Sequence, residues 1–211
     1  MTPGNICAMA KLKGLQAIAV TDHQSAAMLR AVSSCAKRAG LLLLPGLEIC
    51  TREEVHLLAY FASLEQAEAM GLWCYQHLPD RKNRPEFFGN QWLCDDTDKI
   101  IAQEERMLIH ALSAGLTQVC QTVRALGGVP VPAHINRGAN GILQALGFLP
   151  PEEGFTALEI CPRLPLDMDP CAWRVLHSSD AHRLGDIAEA EAQLPAALET
   201  QAIIDYLSGG G

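Results

Sequence analysis

The sequence of 211 residues is poor in aromatic side chains (5%) and in charged ones (19%), and its Lys and Arg residues (16) are outnumbered by Asp and Glu (24). The resulting net charge of -8 argues against a general nucleic-acid groove, which is normally basic. The longest apolar stretch, residues 41–47, is interrupted by Pro45 and Gly46 and is far shorter than the ~20 residues that a membrane-spanning helix needs. We therefore expect no membrane partner.

The eight cysteines also form no recognisable set. They lie far apart, contain no C-x-x-C pair and follow no signal peptide, so neither a disulfide framework nor a zinc ribbon is predicted. We expect a cytoplasmic protein. A hydrophobic content of 49% over this length is enough to build an ordinary core without such cross-links.

Short apolar segments alternate with amphipathic ones along the chain. Candidate strands cover residues 17–20, 41–44, 54–61, 129–133, 157–160 and 174–177, and candidate helices cover residues 2–14, 25–40, 63–79, 100–112, 117–126 and 187–207. No repeat or linker divides the chain, so we predict a single domain over residues 1–211, with a polar insertion loop around residues 79–98.

This alternation predicts an α/β fold, either a parallel barrel or an open doubly wound sheet. The barrel is favoured because His23, Glu48, His134 and Asp180 each follow a separate apolar strand, at the edge where α/β barrels build their sites. The first helix has no strand before it. The barrel therefore either lacks its first strand or is open on that side.

Imidazole and carboxylate groups at strand ends suit zinc, manganese or iron. The candidate ligands are separated by tens of residues and can converge only through the fold; they are His23, Glu48, His56, His134, Asp180 and His182. A bridging carboxylate can hold two ions about 3.5–4 Å apart, which activate water and clamp a phosphoryl group. Metal-assisted hydrolysis is the predicted chemistry.

Four strings in this order resemble the PHP (polymerase and histidinol phosphatase) superfamily of metal-dependent phosphoesterases: AKLKGLQAIAVTDHQSA, LLPGLEICTREEVHLLAYF, GGVPVPAHINR and HSSDAH. The resemblance spans roughly residues 2 to 185. It implies a distorted (β/α)7 PHP barrel with up to three divalent metal ions. It also implies an enzyme that hydrolyses a phosphomonoester or small nucleotide by metal-bound hydroxide.

The resemblance further implies a role for each motif residue. His23 is similar to a ligand of the third metal, shared with His182, and Glu48 resembles the carboxylate that bridges the first two. His56 and His134 resemble the other ligands of the second metal, and Asp180 resembles a ligand of the first. The catalytic residues implied are His134, Asp180 and His182.

Three further residues are candidates with two interpretations each. Arg137 is either a phosphate contact, because a guanidinium fork matches phosphate oxygens, or a solvated loop residue. Asp22 and Glu159 either orient metal ligands or serve as capping and loop residues.

The family's opening H-x-H motif does not occur in this sequence. The resemblance is therefore to an N-terminally truncated member without the first strand, in which two of the metals lose ligands and activity is impaired. The edge left open beside residues 17–20 favours homodimer pairing. The alternative is a catalytically degenerate PHP module with a structural or interaction role. Amidohydrolase chemistry is disfavoured because no lysine at a strand end is available as a carbamate bridge.

Overall fold

The computed structural model of the protein describes residues 1–210 and has a mixed α/β fold. The helices are α1 (Pro3–Leu12), α2 (Leu29–Ala39), α3 (Leu64–His77), α4 (Pro85–Phe88), α5 (Leu116–Ala125), α6 (Ile142–Leu146) and α7 (Thr200–Leu207). The strands are β1 (Ala17–Val20), β2 (Leu42–Cys50), β3 (His56–Tyr60), β4 (Trp92–Cys94), β5 (Ile100–Gln103), β6 (Val129–Pro132), β7 (Ala157–Glu159) and β8 (Arg174–Leu176). The α/β class and the opening helix are confirmed.

The central sheet has four strands in the order β1-β2-β3-β6, and β4-β5 and β7-β8 form two separate pairs. β1 runs parallel to β2, whereas β3 runs antiparallel to both β2 and β6. The expectation of parallel strands is therefore wrong for β3. Only five residues, 51–55, connect β2 to β3, and a parallel crossover needs a dozen or more. The strands of residues 1–210 also do not close into a barrel.

β2 is longer than the sequence pattern predicts, since it continues through Pro45 and Gly46 to Cys50. Residues 42–45 pair with β1, and residues 46–50 pair with β3. Pro45 thus lies where the strand changes partner, a position that tolerates a residue without an N–H group. Gly46 passes close to β3, because a Cβ atom at this position would lie 2.9 Å from the Ala59 carbonyl oxygen. Glu48 consequently lies within a strand rather than beyond its end.

Two predicted helices are wrong in whole or in part. Residues 100–112 contain β5, which pairs antiparallel with β4, and the predicted insertion loop holds β4 and α4. The β-branched pair Ile100 and Ile101 suits this ribbon. Of residues 187–207, only α7 is helical, because Pro195 interrupts the segment before it.

The central sheet is buried on both faces. Along β3, Leu57 and Ala59 join a core cluster that packs against α3 and α5, while Leu58 and Tyr60 join a second cluster with α7. This is the period of two expected for a strand with two buried faces. β1 is an edge strand of this sheet, and homodimer pairing at that edge stays a prediction. No helix within residues 1–210 combines the length and apolar character needed to cross a bilayer.

Candidate metal centre

Glu48 lies at the centre of a cluster of three histidines and is only 7% exposed. Its Oε1 atom is 3.0 Å from His56 Nδ1 and 3.3 Å from His134 Nε2. Its Oε2 atom is 3.5 Å from His23 Nε2. The two carboxylate oxygens thus face different imidazoles, which is the arrangement that a bridging carboxylate requires.

Each histidine reaches Glu48 from a different strand. His23 follows β1 and forms a parallel bridge with Glu48. His134 lies two residues beyond β6, and His56 is the first residue of β3. Because β3 runs opposite to its neighbours, its first residue lies at the edge where β1 and β6 end. The parallel strands β1 and β6 bring two imidazoles to this edge, and the antiparallel strand β3 brings the third.

The backbone around the cluster is strained. Five residues other than glycine near these ligands have positive φ angles; they are Gln24 (57°), Glu54 (60°), His134 (30°), Asn140 (59°) and Asp180 (46°). Such conformations cost about 1–3 kcal/mol each and persist where the surrounding structure enforces them. Here the enforcement includes hydrogen bonds from the His56 N–H to the Asn140 carbonyl (2.9 Å) and from the Asn140 side chain to the Glu54 carbonyl (2.9 Å). The turns that carry the ligands are therefore tied to one another.

Burial and contacts within the cluster shift the pKa values of its residues. Burial alone would raise the pKa of Glu48, but hydrogen bonds from His134 and His56 outweigh it and hold the pKa well below its ordinary value. Burial lowers the pKa of His23, despite the nearby Glu48 carboxylate. For His134 burial acts in the same direction, yet the hydrogen bond to Glu48 raises the pKa. At neutral pH the cluster thus offers an ionised carboxylate and a neutral imidazole, His23.

These residues fit a divalent metal ion. The donor atoms of His23, Glu48 and His56 all lie within 4.8 Å of one another, which is close to the separation that ligands about 2.0–2.2 Å from a shared zinc ion have. Imidazoles with a carboxylate suit zinc, manganese or iron. Within residues 1–210, the Nδ1 atoms of His23 and His134 are buried and have no hydrogen-bond partner. Buried polar atoms without a hydrogen-bond partner are rare in folded proteins and are typical of sites that hold a further group such as an ion.

Asp180, His182 and Arg137 lie at the rim of this cluster. The charge of Asp180 is a minor cause that raises the pKa of both His23 and His134. The Asp180 carboxylate is hydrogen-bonded to the Arg137 guanidinium. His182 bonds through Nδ1 to the Asp180 backbone carbonyl (2.9 Å) and is largely exposed. The structure therefore gathers His23, His56 and His134 around Glu48. Within residues 1–210, Asp180 and His182 make no hydrogen bond or salt bridge to these four, and Arg137, whose N–H donates to the His134 carbonyl (2.8 Å), connects Asp180 to them.

Sequence reasoning missed the structural importance of Gln24. Its side chain is 1% exposed, and its amide donates to the carbonyl groups of Cys50 (3.3 Å) and His110 (3.2 Å). Its backbone N–H donates to the Glu48 carbonyl (2.9 Å). The only sequence signal for this residue is its position directly after His23.

Two open clefts of about 440 and 570 Å³ lie elsewhere on the surface. The first is lined by Arg52, Glu53 and Glu152 among others, and the second by Phe148 and Trp173 among others. None of the six predicted ligands lines either cleft. The chemistry of the side chains, rather than the volume of a cleft, therefore marks the metal centre as the candidate site.

No protein-family model and no curated protein matches the sequence. Among solved structures, a lesion-specific endonuclease, endonuclease Q from Pyrococcus furiosus, aligns with a TM-score of 0.65 at 16% identity, over 100% of this chain and 52% of that chain. A candidate metal-dependent phosphoesterase from Bifidobacterium adolescentis aligns with a TM-score of 0.63 at 18% identity, over 100% of this chain and 91% of that chain. An amidohydrolase from Chromobacterium violaceum, with bound sulfate and no metal, aligns with a TM-score of 0.52 at 16% identity, over 75% of this chain and 71% of that chain.

At these identities the common property is the fold, and the fold is consistent with the resemblance to the PHP superfamily. This chain spans about half the length of the endonuclease (52%).

Proposed function

We propose that this protein is a metal-dependent phosphoesterase that hydrolyses a phosphomonoester or a small nucleotide. The observation that carries the proposal is the buried Glu48 carboxylate with imidazoles of His23, His56 and His134 within 3.0–3.5 Å of its oxygens. The fold shared with a candidate metal-dependent phosphoesterase supports it.

The proposed ligands are His23, Glu48, His56 and His134, with Asp180 and His182 completing the set from the rim. A divalent ion held there would neutralise phosphoryl oxygens and lower the pKa of a bound water. The ionised Glu48 supplies the negative charge that retains the ion, and the neutral His23 supplies a nitrogen lone pair. His182 keeps Nε2 available as a metal ligand, because its Nδ1 bonds to the Asp180 backbone carbonyl.

Arg137 is the proposed phosphate contact. Its guanidinium is about half exposed and uses one nitrogen on Asp180, so other donors of the fork remain for phosphate oxygens. A chain with a net charge of -8 repels an anionic substrate unless cations are concentrated at the site. The metal centre and Arg137 together provide that concentration.

The overall charge also favours a small substrate over a polymer. An endonuclease Q that shares this fold was solved in complex with a 27-mer duplex substrate containing an abasic lesion, but this chain carries an excess of eight acidic groups over basic ones. Counterion release, which drives most of the affinity for a nucleic-acid backbone, requires clustered Lys and Arg.

The test is metal content by elemental analysis, with turnover of p-nitrophenyl phosphate in added manganese or zinc. We expect bound metal and turnover in the wild type, and loss of both in Glu48→Gln and His134→Ala. The control is His77→Ala, because His77 lies in the last turn of α3 and bonds to the Trp73 carbonyl. Metal binding without turnover on any phosphomonoester would favour the degenerate-module alternative, and a metal-free wild type would refute the proposal.

A further inference from the structure

Glu159, the last residue of β7, is a buried carboxylate that forms no salt bridge with a Lys or Arg residue of the described chain. It is 5% exposed. Burial of an ionisable group is costly unless its polar atoms are hydrogen-bonded. The bonds that Glu159 makes therefore indicate its role.

Those bonds go to the segment that carries a candidate ligand beyond β6, while β7 itself pairs with β8. Glu159 Oε2 accepts from the His134 backbone N–H (3.0 Å), and the Glu159 carbonyl accepts from the Ile135 N–H (3.0 Å). In the parallel β7-β8 ladder Glu159 is paired with Leu176, and the Ile160 N–H donates to the Leu176 carbonyl (2.9 Å). Leu176 lies four residues before Asp180, so the strand that carries Glu159 is fixed to the strand that leads to Asp180.

The geometry at His134 explains why an acceptor is needed there. Ala133 still donates its N–H to the His56 carbonyl (3.1 Å) of β3. At His134 the backbone turns into the left-handed region (φ 30°), and its N–H points away from β3 towards β7. Without Glu159 this N–H would be buried and unpaired, which a backbone donor rarely is.

We propose that Glu159 is a positioning residue that ties the left-handed turn at His134 to β7, and through the β7-β8 pairing to the segment that carries Asp180, so that the His134 imidazole and the Asp180 carboxylate face one metal site. The inference rests on the proposed metal centre and adds a residue that touches neither metal nor substrate. Partners of this kind orient the ligands of a metal site.

The experiment compares four proteins: the wild type, Glu159→Ala, Glu159→Gln and the control Glu153→Gln. Glu153 is also a buried carboxylate and bonds to the Thr117 hydroxyl, away from the metal centre. Zinc affinity is measured by calorimetry, and Co²⁺ is added separately so that its visible absorption reports the ligand geometry. We expect Glu159→Ala to weaken zinc binding about 10- to 100-fold and to alter the Co²⁺ spectrum.

Glu159→Gln keeps an oxygen that can accept from the His134 N–H, so it should restore most of the zinc affinity. Glu153→Gln should leave both the affinity and the spectrum unchanged. Wild-type affinity and an unaltered Co²⁺ spectrum in a folded Glu159→Ala would overturn the inference. If that variant does not fold, Glu159→Asp, which draws the acceptor back by one methylene, takes its place with the same expectations.

A second readout separates this inference from the proposed function. In the metal-free protein, the amide resonance of His134 and the ring ¹⁵N resonances of His134 and His182 should all shift in Glu159→Ala. A wild type that binds no metal would refute the proposed function. The resonance shifts in Glu159→Ala would still test whether Glu159 positions the two segments. If only the His134 amide shifts, the two segments are not coupled and the inference is wrong.

Discussion

His56 Nδ1 lies 3.0 Å from Glu48 Oε1 across an antiparallel pair of strands, whereas the sequence pattern predicts parallel strands here. The pair is diagonal in the ladder, since Glu48 is directly opposite Leu58 and His56 opposite Cys50. Side chains two residues apart along a strand share a face, so Glu48, Leu58 and His56 all point to the same side of the sheet. The tight turn between β2 and β3 is therefore what makes the two residues one site.

Removing the Glu48 charge should change how stability depends on pH in the metal-free protein. Because the pKa of Glu48 is lowered in the folded protein, its ionised form stabilises the fold at pH values above about 4.3, the pKa in the unfolded chain. This stabilisation is lost as the pH falls through the folded pKa. Because the pKa of His134 is raised in the folded protein, its protonated form stabilises the fold at pH values below about 6.5, the pKa in the unfolded chain. This stabilisation is lost as the pH rises through the folded pKa. The lowered pKa of His23 adds to the loss in acid.

Both favourable contributions are present at about pH 5–6. Thermal unfolding midpoints of the wild type and Glu48→Gln should therefore differ most in that range and less at pH 4 and pH 9. Glu65→Gln, an exposed carboxylate at the start of α3, is the control and should show no such maximum. A pH-independent difference between wild type and Glu48→Gln would contradict the assigned contacts.

Replacing Arg137 by alanine should weaken phosphate binding and leave the metal content unchanged. A hydrogen bond to a charged group contributes roughly 1.5–3 kcal/mol, so the inhibition constant for inorganic phosphate should rise about 10- to 100-fold. Arg137→Lys keeps the charge without the planar fork and should be intermediate. An inhibition constant equal to that of the wild type would mean that Arg137 only pairs with Asp180.

The cysteines should react with thiol reagents at very different rates. Burial raises the pKa of Cys50 and Cys74 to about 12 and that of Cys7 to about 11, whereas Cys171 is exposed. Because the thiolate is the reactive form, Cys171 should be labelled first by DTNB in the folded protein. Cys171→Ser should remove the fastest phase, and labelling of Cys74 at a comparable rate would show that α3 is not packed as described.

Part of the fold was readable from the chain because local pattern and tertiary packing agree there. Ser63 and Gln66 form the capping box that begins α3, and a left-handed Gly40 ends α2. β5 was missed because residues 100–112 also carry a helical spacing of apolar side chains, and only the pairing with β4 decides between the two. The partner change of β2 at Pro45 was likewise invisible, since a proline ordinarily ends a strand.

For the candidate site, the sequence by itself determined which residue types are available and in what order, because TDH, PGLE and SDAH are local strings. It did not determine distances. Three features depend on contacts between residues 8 to 86 positions apart: Glu48 meets three imidazoles, Arg137 bonds to Asp180, and Glu159 accepts from the His134 N–H. Such contacts form only when the strands are paired, since no local interaction fixes the relative position of two chain segments; the tertiary structure alone decided them.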